Sequence, residues 1–132
     1  MATAPSHLKG EHYVVTGPYQ LSVADSVNGL LYMPDASNPP SATAVGKLIV
    51  AAGNVYCGWL ERGAKIGDKV SLIITGRGPA IASGAIAAYA AVTPDSAGKC
   101  KTGTVGTDHI IGFNDGPATT TDGDIFTLAK LA

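Results

Sequence analysis

Asp108 and His109 stand side by side, and a carboxylate next to an imidazole supplies two of the three groups that activate a nucleophilic hydroxyl. The third would be one of the many serines or threonines. The Gly-x-Ser-x-Gly elbow that presents such a serine is absent, so His109 reads as a strand-edge residue. Asp115, Asp122 and Asp124 invite a calcium reading. They lack the spaced ligands and closing glutamate of an EF-hand loop, and aspartate in a Gly-rich stretch is a turn former. His7, His12 and His109 have no metal-ligand spacing, and Cys57 and Cys100, the only cysteines, form no Cys-x-x-Cys pair. In a reducing compartment such thiols read as small core residues; whether the two meet stays open. Gly76-Arg77-Gly78 and Gly103-Thr104-Val105-Gly106 lack the Lys-Ser/Thr ending of a phosphate loop. The expectation is no catalytic residue, no cofactor and no metal. Two other functions stay in view. Tyr13, Tyr19, Tyr32 and Trp59 could line a carbohydrate-binding or adhesion face, although core packing is their default, and Asp108 with His109 could serve a small hydrolase.

The elements that would position these residues are strands. Residues 12–16 read as one, closed by Gly17-Pro18, and residues 19–23 alternate with the two-residue period of a half-buried strand. Residues 30–33 suit a short buried strand, and residues 35–44 a loop. Residues 47–51 and 55–60 flank Gly53-Asn54, a pair suited to a tight hairpin. Residues 69–75 would put Val70, Leu72 and Ile74 on one face, and Gly76-Arg77-Gly78-Pro79 would break that strand. The Ala-rich stretch 83–92 has helical propensity but lies between Gly84 and Pro94. It reads as a turn flanked by strand pieces at Ala80-Ile81 and Ala91-Val92. Residues 109–113 and 125–131 complete the set. Short strands punctuated by Gly, Pro and Asp predict an all-β fold, a small β-barrel or β-sandwich. Residues 1–12, aperiodic and carrying Pro5, read as an extended N-terminal arm, and residues 13–132 as a single β domain.

Composition narrows the function. The 132 residues are 45% hydrophobic, enough for a core, but only 14% charged, against roughly 25% in average soluble proteins. Much of the surface must then be Ser, Thr, Gly, Ala and Asn, or be covered by another protein. The net charge of −1 comes with scattered Lys and Arg, which gives no basic face for nucleic acid. No apolar run approaches the roughly 20 residues of a membrane-spanning helix. Met1-Ala2-Thr3-Ala4-Pro5 lacks the basic-then-apolar plan of a secretory signal, so synthesis in the cytoplasm is expected.

The chain also echoes itself. Cys57-Gly58-Trp59-Leu60-Glu61 is followed by Gly67-Asp68-Lys69-Val70-Ser71-Leu72. Ile111-Gly112-Phe113-Asn114-Asp115 is followed by Gly123-Asp124-Ile125-Phe126-Thr127-Leu128. Each copy has a glycine and an aromatic, a loop, then Gly-Asp opening an alternating strand. That is the pattern of a repeated hairpin, with glycine permitting close backbone approach, and it predicts a pseudo-symmetric β fold.

From about Gly76 onward the residues have a further likeness. Ala85-Ile86-Ala87-Ala88, Ala91-Val92-Thr93-Pro94-Asp95 with Gly98-Lys99, Ile110-Ile111-Gly112-Phe113 and Gly123-Asp124-Ile125-Phe126-Thr127-Leu128 follow one another in an order that resembles the capsid cement and decoration proteins of tailed phages. Tyr89 departs from that pattern, standing where the family usually has glycine. The resemblance implies a small β protein of the virion, made in the host cytoplasm, trimeric in the family's manner, that binds the major capsid protein on the capsid exterior and stabilises the shell. It implies no catalytic residues. On this reading the arm extends the contact, through Pro5, His7, Leu8, His12 and Tyr13.

Overall fold

Alternating apolar residues fix the faces of the strands. The structure is a computed structural model and describes residues 15–52 and 56–131. Its regular elements are ten strands: β1 (Val15–Leu21), β2 (Tyr32–Pro34), β3 (Gly46–Val50), β4 (Trp59–Leu60), β5 (Lys69–Ile73), β6 (Gly76–Ile81), β7 (Ala91–Pro94), β8 (Cys100–Thr102), β9 (Gly112–Asn114) and β10 (Ile125–Lys130). They form two five-stranded sheets, ordered β2-β3-β1-β5-β4 and β6-β10-β9-β7-β8. The chain is all-β and sandwich-like. Tyr19, Leu21, Tyr32, Leu48, Val70 and Leu72 occupy one face of the first sheet and form a core of their own. Trp59 and Ile73, one residue out of phase on β4 and β5, face the other way. They join Val92, Cys100, Phe126 and Leu128 in a core shared by both halves. Each fully buried Leu or Ile here contributes on the order of 2 kcal/mol.

Two local expectations are corrected. Residues 47–51 and 55–60 make no hairpin: β3 pairs with β1 and β2, and β4 pairs with β5. Gly53 and Asn54 themselves lie outside the described residues. Nor does Gly17-Pro18 close a strand, whereas β5 does end before Gly76. β1 runs through Gly17-Pro18 because a one-residue bulge between Thr16 and Tyr19 absorbs them. Pro79 lies within β6, at the edge of the second sheet, where a missing N–H breaks no ladder. The Ala-rich stretch forms no helix; it is a turn before β7.

The second sheet repeats the first. Leu21 pairs in parallel with Leu48, and Ala82 bridges in parallel to Cys100. Tyr32 bridges to Gly58, and Val92 pairs with Gly112. Trp59 opposes Ile73 as Phe113 opposes Ala129. The turns repeat too. Gly67 donates to the Leu21 carbonyl at 2.7 Å and Gly123 to the Ala82 carbonyl at 2.8 Å. Asp35 receives the Ser37 amide as Asp95 receives that of Ala97. So β1 to β5 correspond to β6 to β10, and the echo seen in the sequence is one hairpin of a whole-fold repeat. In each sheet a single bridge, Tyr32 to Gly58 or Ala82 to Cys100, links the two edges to one another. The interiors differ: Leu21, Leu48, Tyr32 and Leu60 give way to Ala82, Cys100, Val92 and Asn114. Ile86, from the turn segment before β7, joins the smaller set in the shared core.

Cys57 and Cys100 are both free and buried in that core. Burial raises both thiol pKa values, and it lowers that of Lys130, whose Nζ donates to the Ile74 carbonyl. A raised folded pKa gives stability that is complete below the unfolded value, about 8.5 for a thiol, and is lost as pH rises above it. Lys130 works in the opposite direction and interacts with both thiols, so comparison with a thiol-free chain reads the thiols together with their effect on Lys130. The native protein is expected to lose its advantage over a Cys57→Ala/Cys100→Ala variant between pH 8 and 10. The limit is about 1.4 kcal/mol per thiol per pH unit. Urea midpoints measured across that range check it; a constant difference would mean that the thiols ionise alike in both states.

Candidate functional site

The residues that suggested chemistry are placed by turns. Asp108 receives the Thr104 amide at 2.8 Å and donates its own amide to the Thr104 carbonyl at 2.9 Å, so its carboxylate caps a turn. His109 is exposed, and its carbonyl accepts from Thr93 Oγ1 at 2.8 Å. Asp115 pairs with Arg77 and Asp122 with Lys99. Asp124 accepts the Thr120 and Thr121 amides, which hold its carboxyl below the usual range. The structure brings these three acids to separate partners. Among the described residues no three His, Cys, Asp or Glu side chains gather where they could share a metal ion.

Among the described residues the aromatic face that the carbohydrate-binding alternative needs is not assembled, and core packing holds instead. Tyr19, Tyr32 and Trp59 are buried, and Trp59 donates its indole N–H to the Pro79 carbonyl at 2.7 Å. Tyr13 lies outside the described residues, as do the arm contacts Pro5, His7, Leu8 and His12. A hollow of 680 Å³, with Arg77, Asp124 and Thr127 among its lining residues, adjoins a second of 420 Å³ beside Trp59 and Arg62. Asn28 and Pro79 line both.

No motif assigns a function to the most prominent surface feature among the described residues. Tyr89 is 75% exposed and Val105 77% exposed. Gly103 donates to the Ala91 carbonyl at 2.9 Å, so Tyr89, two residues before Ala91, and Val105, two residues after Gly103, leave the sheet at the same end. Tyr89 has φ 62°, a left-handed backbone that disfavours a bulky side chain. Its counterpart in the first half is Gly29, also at positive φ; the matching turns are closed by Leu30 on Val27 and Ala90 on Ala87, both at 3.1 Å. The Tyr89 turn is held firmly. The Asn114 amide donates to the Ile86, Ala87 and Pro117 carbonyls, and the Tyr89 amide donates to Asn114 at 2.7 Å. Thr119 Oγ1 accepts from Ile86 and donates to Gly84. The one sequence signal was that Tyr89 stands where glycine is usual. Backbone strain of this kind costs about 1 kcal/mol. Tyr89→Gly is therefore expected to stabilise the fold by about that amount, read as a raised thermal midpoint; a lowered midpoint would mean that the ring is held by packing.

In fold the chain is similar to a solved structure, the head fiber gp8.5 N base of bacteriophage phi29. The TM-score is 0.58 at 14% sequence identity, over 92% of this chain and 99% of that one. No family model and no curated protein matches the sequence.

Proposed function

We propose that the protein is a structural component of a tailed-phage virion that sits on the capsid exterior as a cement or decoration protein. The observation that carries this reading is the fold likeness to a head fiber base over nearly the full length of both chains. Its low charge supports the reading, because interface cores are depleted of charge. The firmly held, exposed apolar tip at Tyr89 and Val105 also supports it. The partner is the major capsid protein, the protein itself assembles as a homotrimer, and the segment carrying Pro5, His7, Leu8, His12 and Tyr13 extends the capsid contact. Function is then mass action: a ligand that binds only the assembled shell stabilises it, and a multivalent ligand does so with avidity.

Co-sedimentation with empty cognate capsids tests this. Saturable pelleting is expected, together with a higher melting temperature for the shell. Deleting residues 1–13 should weaken pelleting by at least tenfold and leave the thermal midpoint of the remaining chain unchanged. A native protein that stays in the supernatant would overturn the capsid reading. Undiminished pelleting of the truncated chain would remove only the role given to the arm.

A further inference from the structure

We propose that copies of this chain join head to tail, the Tyr89 tip of one docking on strand β1 of the next. Each chain already contains one such contact. Its first half presents Gly29, Leu31, Ala51 and Trp59; its second half receives them with Pro79, Ala80, Ile81 and Gly98. Leu31 donates to the Gly98 carbonyl, and Gly98 donates to the Ala51 carbonyl, both at 2.9 Å. Trp59 donates to Pro79, and Gly29 lies so close to Ala80 and Ile81 that a Cβ there would sit 3.2 Å from Ile81. The two halves share one fold but meet through different faces, which makes the contact heterologous.

A repeated fold carries both faces twice. The second half has its own copy of the presenting face: Tyr89, Ala91, Gly103 and Phe113. The first half has its own copy of the receiving face: Pro18, Tyr19, Gln20 and Asn38. Among the described residues the presenting copy is at most half-buried, and so is the receiving copy apart from Tyr19, whose ring lies in the core of the first half. Where Leu31, Ala51 and Trp59 are buried, Ala91, Gly103 and Phe113 are partly exposed, and Pro18 and Asn38 are exposed. The presenting copy has no charged residue, and an aromatic replaces the repeat's glycine at its apex despite the strained backbone. Tyrosine is among the residues that most often anchor interfaces. A second copy of this chain continues the contact that its own halves make, and a heterologous contact of this kind closes into a ring when its rotation allows.

The inference deepens the proposed homo-oligomer and rests on that part of the reading, but its test needs no capsid. The native chain is expected to run as a discrete oligomer by light scattering at micromolar concentration. Tyr89→Gly, which relaxes the backbone while removing the ring, should weaken self-association about a hundredfold without lowering the thermal midpoint measured at concentrations where the native chain is monomeric. Gln20→Arg, on the receiving strand at the place of Ile81, should do the same. Native mass spectrometry of the two variants mixed should show a one-to-one heterodimer, because each retains the face the other lacks. A monomeric native chain, variants that still assemble, or a mixture without the heterodimer would each overturn the head-to-tail contact. Loss of capsid pelleting with self-assembly intact would overturn the capsid reading instead.

Discussion

Gly112→Ala is expected to destabilise the protein by about 3 kcal/mol or more, and Gly58→Ala to do the same. Both glycines sit where two strands meet with no room for a side chain. A Cβ at Gly112 would run into the Ala129 carbonyl, and one at Gly58 into the Ile73 carbonyl, far inside contact distance. Neither carbonyl can move without parting β9 from β10 or β4 from β5, because each belongs to a paired strand. Gly84 is the control. It has no positive φ, and nothing lies within 4 Å of its added Cβ, so Gly84→Ala should leave the urea midpoint unchanged or slightly raised. A Gly112→Ala protein as stable as the Gly84→Ala protein would show that the strands do not approach this closely.

Asn114→Asp is expected to cost about 3–5 kcal/mol at neutral pH although the side chains are nearly the same size. Asn114 is fully buried and its amide nitrogen faces three carbonyl oxygens, those of Ile86, Ala87 and Pro117. A carboxylate there would set negative charge against three acceptors and release the turn that carries Tyr89. Protonation relieves part of this. The folded pKa of the new acid would be raised, so the loss should be smallest below about pH 4 and grow as pH rises through the unfolded value. Chemical denaturation at pH 4 and pH 7 reads the difference. Equal losses at both would mean that the carboxylate finds a donor and that the three-carbonyl clamp is not the controlling feature.

Much of the architecture was legible because it is written locally. Residues 69–75 alternate, and β5 forms there with Val70 and Leu72 in one core; the echoed glycines and Gly-Asp turns mark equivalent hairpins. The rest of the repeat was present but diluted. Gly17-Pro18 and Gly78-Pro79 correspond, as do Pro34-Asp35 and Pro94-Asp95, but each match is two residues long. The loop after Asp35 runs to residue 45 where its counterpart closes by residue 99. The parallel pairing of β1 with β3 is a long-range choice that no local pattern encodes. The Gly53-Asn54 hairpin failed as an expectation for the same reason, since β3 and β4 find other partners. Asn114 was unreadable as a structural clamp because its counterpart, Leu60, is apolar; only the fold shows three carbonyls converging on it. The candidate surface was less legible still. Tyr89 stood out by departing from a glycine position, and only the exposed left-handed turn gives that departure a physical meaning.

The unequal interiors of the two halves bear on how such a chain avoids misfolding. A polypeptide that encodes one topology twice can pair a strand from one copy with the partners meant for the other, in the same molecule or between neighbours during synthesis. Here the sizes forbid an easy exchange. β3 in the place of β8 would force Leu48 into the space of Cys100, beside Ala82 and in the core that Ile86 already joins. β8 in the place of β3 would leave a void beside Leu21. Overpacking in one case and a cavity in the other each disfavour the wrong pairing by a few kcal/mol. The divergence of the two cores thus keeps the copies from mistaking each other while they fold.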